Sequence, residues 1–440
     1  MKPDRLVLAA FVLFASGCAS AKPAPPASSA TSHGLAVIED SFEAARAAAA
    51  KRNVPLVVEA WAPWCHTCRS LREVVMRDPQ IVKLADVVQF ASIDVDRKEN
   101  EAFLERFPIR SLPTILIFAP KGEDPSVKWL GALTVAEFTG LINSQRAKGV
   151  GQAGDPFGPG DAASAVGDNP RAIREYRRAL ATLAKGSPEE ARVVDSLVAR
   201  LVEIGAHAEC LRLVTERHAT LHGGTSRVNV VTTGIQCALE LEDNGKEALL
   251  PLERAALSLA RDPNVNLLAD DRSAVFEAVV GSMKTRKAPA DERRTIAREW
   301  SAFLEEAAAS AVGKASAVFE SHRTFAHLEL GEFDKAIKML EASIQADPAD
   351  YNPPARLAAV HLAAGHVDAG LVAIDRALAL AYGPRKLRMF KTKVELLQKK
   401  GDGKAEREAI EAGIAYAKTV KLSPSYERLL VAWKQRLLKL

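Results

Sequence analysis

The 440-residue sequence predicts an α/β domain followed by an all-α solenoid of stacked helix pairs. Three observations predict this. Short β-branched runs alternate with helix-patterned segments as far as about residue 148. A break rich in Gly, Pro and small polar residues follows, "KGVGQAGDPFGPGDAASAVGD" at 148–168. Beyond it, helical periodicity continues almost to Leu440. With 48% hydrophobic and 26% charged residues the chain can bury substantial cores. The balance of 59 basic against 55 acidic side chains, a net +4, predicts no general attraction to nucleic acid.

The first residues do not read as fold. Lys2 and Arg5 precede the apolar run Leu6–Phe14, and Ala15-Ser16-Gly17 leads to Cys18, the charge, apolar and small-residue order of a signal peptide over 1–18. The run is too short to span a bilayer as a mature helix. "ASGC" resembles the lipobox of bacterial lipoproteins, which implies cleavage before Cys18 and lipidation of that cysteine as the membrane anchor. With Ala19 rather than Asp next, the resemblance implies the outer membrane if the cell is Gram-negative. An ordinary secretory signal is the alternative, and either takes the protein out of the cytoplasm to the cell envelope. Residues 19–35, mostly Ala, Pro and Ser, should be a flexible tether.

The α/β domain is expected over 36–148. Ile38–Arg52 is Ala-rich and helical in pattern, and "VPLVVEAW" at 54–61 reads as a buried strand. After a turn at 62–64, Cys65 opens the helix "CRSLREVVM". Asp78 as N-cap with Pro79 at the first helical position starts another. "VVQFASIDVD" is a second strand, "ENEAFLERF" a helix, "PTILIFAP" a third strand, "SVKWLG" a fourth, and a last helix starts near Thr134. The order α-β-α-β-α-β-β-α predicts one mixed sheet covered by helices.

Two of the five cysteines, Cys65 and Cys68, stand two residues apart directly after the first of these strands. A zinc site would need four ligands, and neither a second cysteine pair nor a histidine pair lies nearby, so no metal is expected. A structural staple would gain more by closing a longer loop. Thiol–disulfide exchange uses this short spacing: a sulfur at a helix N-terminus is favoured as thiolate, and a second one turn later can attack a mixed disulfide. Redox is therefore the preferred reading, with a structural or metal role as the alternative.

"VVEAWAPWCHTC", the later "FPIRSLPT" and "KWLG" together resemble the thioredoxin family over a quarter of the chain. The resemblance implies that Trp61, Trp64, Cys65 and Cys68 occupy the family's W-x-x-W-C-x-x-C positions and that Pro113 is its cis-proline. It implies that Leu112 and Trp64, with Pro113, border the substrate, and that Glu59, where the family usually has Asp, relays a proton to or from Cys68. An edge carboxylate in solvent is the other reading of Glu59. The stretch 76–114 is similar to the C-terminal periplasmic domain of the transmembrane thiol:disulfide interchange reductases, which implies outward electron flow from a separate donor. Thioredoxins place Gly-Pro between the cysteines. Here His66 and Thr67 replace them, which loses a rigid φ, and an imidazolium near Cys65 would favour its thiolate and an oxidising couple. Otherwise His66 is a solvent-exposed side chain, and the direction of electron flow stays open.

Residues 149–166 are expected to be a linker and 167–440 a repeat region. "GEFDKAIKMLEASIQADP" from Gly331 and "GHVDAGLVAIDRAL" from Gly365 lie 34 residues apart, with Phe333/Val367, Ala336/Gly370, Leu340/Ile374 and Ile344/Leu378 in register. Segments from Gly167 and Gly205 follow the same scheme. These segments resemble tetratricopeptide repeats, with Pro348 and Pro384 near the ends of second helices. The resemblance implies a concave face for extended peptides. A plain spacer between domain and membrane is the bland alternative. The seven histidines of this region lack metal-ligand spacing, and Cys210 and Cys237 could pair or remain buried thiols, the commoner fate of helix cysteines.

These readings predict an exported, lipid-anchored thiol–disulfide oxidoreductase, in its reducing role, acting on protein disulfides through Cys65 and Cys68. No cofactor is expected. Its partners would be protein thiols and disulfides, a separate electron donor or acceptor, and a peptide or protein held by the repeats. The alternative is a non-catalytic envelope scaffold built on the repeat array.

Overall fold

The computed structural model describes residues 30–32, 35–148, 157–311 and 313–440. Cys18, the signal sequence and most of the expected tether lie outside the described residues. In chain order the first part comprises β1 (Ala30–Ser32), β2 (Leu35–Glu39), α1 (Phe42–Arg52), β3 (Leu56–Trp61), α2 (His66–Ser70), α3 (Pro79–Val82), β4 (Gln89–Asp94), α4 (Glu101–Arg106), β5 (Thr114–Phe118), β6 (Pro125–Leu130) and α5 (Val135–Lys148). Among the described residues these strands form one six-stranded sheet in the order β1-β2-β4-β3-β5-β6. β3 pairs parallel with β4 and antiparallel with β5, so the mixed sheet expected from the sequence is present.

Two strands were not expected. The segment Ile38–Arg52, read as one helix, begins as the end of β2 and turns at Asp40, a residue with φ 51°. The Asp40 carboxylate is held there by the Asp94 N–H and the Asn100 amide, both at 2.8 Å. Tertiary hydrogen bonds thus stabilise a left-handed turn that local helical pattern did not reveal. The end of the expected tether likewise supplies β1, which pairs antiparallel with β2.

The sheet is covered on both faces because its strands alternate. Val57, Phe90, Ile115 and Ile117 pack with Leu71, Val75 and Phe138 on one side. Leu56, Val58, Ala91, Leu116 and Phe118 pack with Phe42, Phe103 and Phe107 on the other. Glu59 and Ser92, in register across β3 and β4, fall in step with Val57 and Phe90.

The second part is helical: α6 (Gly158–Ala165), α7 (Asn169–Thr182), α8 (Pro188–Glu203), α9 (His207–Arg217), α10 (Thr225–Glu240), α11 (Lys246–Arg261), α12 (Ala269–Thr285), α13 (Ala290–Ser310), α14 (Glu320–Leu330), α15 (Phe333–Ala346), α16 (Asn352–Ala364), α17 (Val367–Leu380), α18 (Lys386–Lys400), α19 (Gly403–Ala417) and α20 (Pro424–Leu437). Helix α6 corrects the later part of the linker expected over 149–166, of which residues 149–156 lie outside the described residues. Its Gly160 fits against the Tyr176 ring, and its Ala165 joins the core of the first part. The recurrent glycines have a physical cause: Gly331 and Gly365 end α14 and α16 in the left-handed conformation, with φ 74° and 83°. Ala336, Leu340 and Ile374 are buried as the repeat register requires. Cys210 on α9 and Cys237 on α10 form a disulfide, which corrects the buried-thiol reading. Their place on consecutive helices left both outcomes open, and the packing of α9 on α10 aims the two sulfurs at each other.

Candidate functional site

β3 ends at Trp61 and the chain turns through Ala62 to Cys65, which caps α2. The Cys68 N–H donates to Cys65 Sγ at 3.0 Å, and the two sulfurs form a disulfide. Cys68 is fully buried and Cys65 only 6% exposed. Both pack with Trp61, Trp64 and Leu112. The Leu112–Pro113 peptide bond is cis. The family positions named above therefore converge on one place, although Leu112 lies 44 positions after Cys68. The helix begun by α2 continues as a π-turn over Leu71–Val75, closed by Met76 N–H to Leu71 C=O.

Beneath α2 lies a polar chain of which the sequence identified only Glu59. This carboxyl is buried in the sheet, not at a solvent edge. Its Oε2 accepts from Ser92 Oγ at 3.1 Å, while Oε1 has no hydrogen-bond partner. Burial pushes Glu59 up to about 7, against the lowering effects of Arg72 and the Ser92 hydroxyl. Arg72 donates to Ser92 Oγ and to Glu39 Oε1 and lies 3.8 Å over the Trp61 ring. Strand pairing brings Ser92 into register with Glu59, and Arg72 joins them from the helix above.

The helical part covers this face. The Pro63 carbonyl accepts from Arg69 Nε at 2.8 Å and from Asn352 Nδ2 at 3.2 Å, while Arg69 pairs with Asp350. Trp64 donates its Nε1–H to Asp96 at 2.6 Å, lies beneath Arg385 at 4.3 Å, and packs on the α15–α18 core. The Tyr382 hydroxyl donates to Asp94 at 2.6 Å. Trp64, expected to border substrate, is therefore in contact with the repeats in this conformation. A spacer holding the domain at a distance is excluded for this structure.

His66 is neither solvent-exposed nor aimed at sulfur as its main charge partner. Its Nδ1 lies 2.8 Å from Asp270 Oδ2, and Thr67 Oγ1 is 3.1 Å from the same nitrogen. Burial works against an imidazolium here, but Asp270 holds His66 above its ordinary range. The His322 ring of α14 lies 4.0 Å away between centroids, and Glu277 completes a cluster able to hold a metal ion. That cluster corrects the expectation of histidines without ligand geometry, because positions 66, 277 and 322 meet only in the folded chain.

Beside the CxxC helix is a cleft of about 1230 Å³, between Trp61, Arg69 and Arg72 on one wall and Lys338, Met339 and Ser343 of α15 on the other. Among the described residues no helix is long and apolar enough to cross a membrane.

The profile of a family described as thioredoxin-like matches residues 37–120, and that of the tetratricopeptide repeat matches 327–394. Thioredoxin from Acidithiobacillus ferridurans is 32% identical over 112 residues, covering 25% of this chain and 94% of that protein. Thioredoxin M4, chloroplastic, from Arabidopsis thaliana is 38% identical over 81 residues, 18% of this chain and 39% of that protein. Thiol:disulfide interchange protein DsbD from Ralstonia nicotianae is 29% identical over 137 residues, 31% of this chain and 22% of that protein. The chain thus spans well under half the length of the latter two. With the sheet order, the Cys65–Cys68 pair and the cis Leu112–Pro113 bond in one place, and with near full-length coverage of the bacterial relative, the chain belongs to the thioredoxin family, with tetratricopeptide repeats appended.

Proposed function

We propose that this protein is a thiol–disulfide oxidoreductase that reduces protein disulfides through Cys65 and Cys68. The carrying observation is the Cys65–Cys68 disulfide at the start of α2, beside the cis Leu112–Pro113 bond. In the reduced enzyme, the Cys68 N–H and the first turn of the helix stabilise a Cys65 thiolate. That thiolate attacks one substrate sulfur and forms a mixed disulfide, and the other substrate sulfur leaves and takes a proton. Cys68 then attacks Cys65 Sγ, releasing the second substrate thiol and leaving the enzyme disulfide. Glu59 receives the Cys68 proton, a task suited to a buried carboxyl that titrates at about 7. Leu112 and Pro113 border the substrate chain, Trp61, His66 and Thr67 tune the motif, and an external dithiol donor restores the reduced state.

The remaining assignments rest on sequence. Cys18 serves as a lipid anchor on the periplasmic side of the envelope, residues 36–148 form the thioredoxin-like domain, and 167–440 form the partner-binding repeats. The cleft lined by Trp61 and α15 supports entry of a client segment beside the CxxC helix.

The first experiment equilibrates the soluble chain with glutathione and dithiothreitol buffers. A potential near about −270 mV supports the reducing direction, whereas one approaching about −120 mV overturns it in favour of disulfide donation. Cys65→Ser should abolish insulin reduction, and Cys68→Ser should accumulate the mixed disulfide. The near-complete burial of Cys65 favours one other reading, a scaffold that holds clients without turnover. Absence of a reversible couple selects it.

A further inference from the structure

Next to the sulfur site, three elements bring together four ionisable side chains. His66 comes from α2, Asp270 and Glu277 from α12 and His322 from α14. Asp270 and Glu277 are seven residues apart, two helical turns, and so share one face. His66 Nδ1 is 2.8 Å from Asp270 Oδ2, and His322 Nε2 is 3.1 Å from Glu277 Oε2. One donor atom each from His66, His322 and Glu277 lies within 4.8 Å of the others.

Two features are poorly satisfied by the protein alone. His322 is fully buried, yet its Nδ1 has no hydrogen-bond partner, and the nearest carboxylate oxygen, Asp270 Oδ1, stands 3.7 Å away and is itself buried without one. The carboxylates of Asp270 and Glu277 both face these imidazoles, a concentration of acceptors that a dication complements. The adjacent cation, Arg356, is already paired with Glu320.

We propose that His66, His322 and Glu277 bind one divalent transition-metal ion of the zinc class, with Asp270 orienting the His66 ring. Two imidazoles and a carboxylate match that class, whereas magnesium and calcium select oxygen-only sets. Asp270 on Nδ1 leaves the other His66 nitrogen available and fixes the tautomer, the usual outer-shell arrangement at histidine ligands. Bonds of about 2.0–2.2 Å at a tetrahedral ion put ligand atoms ~3.4 Å apart. From donor atoms that all lie within 4.8 Å of one another, with His322 Nε2 and Glu277 Oε2 at 3.1 Å, that spacing is within reach of side chains 26% (His66) and 41% (Glu277) exposed. Because the ligands come from both parts of the chain, the ion fastens the CxxC helix to the repeats.

The test uses the tag-free soluble chain carrying Cys18→Ser, with both disulfides formed, so that no thiolate competes. It is titrated with Zn²⁺ against a chromophoric chelator. One equivalent should bind, and its X-ray absorption spectrum should contain two imidazoles and no sulfur. Glu277→Gln and His322→Ala should each weaken binding at least about tenfold, and Asp270→Asn by about 10–100-fold. If His322→Ala fails to fold by circular dichroism, His66→Ala replaces it. No stoichiometric binding, sulfur ligation, or unchanged affinity in Glu277→Gln overturns the site. No turnover is measured, so failure here leaves the exchange activity untouched, and failure of that activity leaves this site untouched.

Discussion

Glu59 combines a buried position with one carboxyl oxygen bonded and the other bare. Its pKa rises from 4.5 to about 7, so the folded state holds the proton more tightly than the unfolded chain. The sign follows: Glu59 costs no stability below about pH 4.5, an increasing amount from there to pH 7, and about 3 kcal/mol above. Glu59→Gln keeps the shape and removes the charge. Urea unfolding should find it more stable than the parent by up to about 3 kcal/mol at pH 8 and equal to it near pH 4. The variant should also lose the inflection near pH 7 in the release of mixed disulfide. Equal stabilities at both pH values would mean that Glu59 ionises as an ordinary surface carboxyl. The position of Glu59 in a buried strand was legible from "VVEAW", while its partners Ser92, Arg72 and Glu39 were not, because sheet register and helix docking bring them there.

At the scale of elements, helix termini and strand runs were the most legible features, since they depend on local chemistry. Asp78 caps α3 by accepting from Gln80 N–H, and Gly331 and Gly365 close their helices in the repeat scheme. Helix pairing is a different matter. The α9–α10 pair is tied by Cys210–Cys237, which closes a separation of 27 residues. In the chain-entropy account such a loop stabilises by about 3–4 kcal/mol. The double variant Cys210→Ser/Cys237→Ser should lose about that much in denaturant unfolding of the helical part, with the Cys65–Cys68 couple keeping its potential. A change below ~1 kcal/mol would mean that helix packing alone sets the stability of this pair.

Over the whole molecule, the repeats wrap onto the thioredoxin-like part from α6 to α19 instead of standing apart from it. Their contacts concentrate around the CxxC turn: Asp350 on Arg69, Asn352 on Pro63, Arg385 over Trp64, and the backbone at Gly383 against Asp96. A Cβ at Gly383 would come within 2.5 Å of Asp96 Cβ, so the close fit depends on that glycine. Beside these contacts Cys65 is almost buried, and the Trp64 that packs on it is itself held by the repeats. Asp350→Lys would set two cations together and loosen the cover, and a loss of about 1.4 kcal/mol corresponds to tenfold in opening. Peptide-resolved iodoacetamide labelling of the reduced chain should then find Cys65 modified about tenfold faster than in the parent. An unchanged rate would show that the Arg69–Asp350 pair does not hold the cover closed.

The sequence by itself determined the two-part architecture, the strand and helix order around the cysteines, the cis-proline position and the repeat period. Each depends on short-range periodicity, caps, turns or a contiguous motif. Only the tertiary structure decided that β2 precedes α1, that Cys210 meets Cys237, that the repeats cover the CxxC face, and that His66, Glu277 and His322 converge. Those features join residues hundreds of positions apart, as in Asn352 to Pro63, separated by 289. Such pairings are selected by the docking of whole helices, whose buried surfaces have complementary shape and charge that no local window of sequence contains.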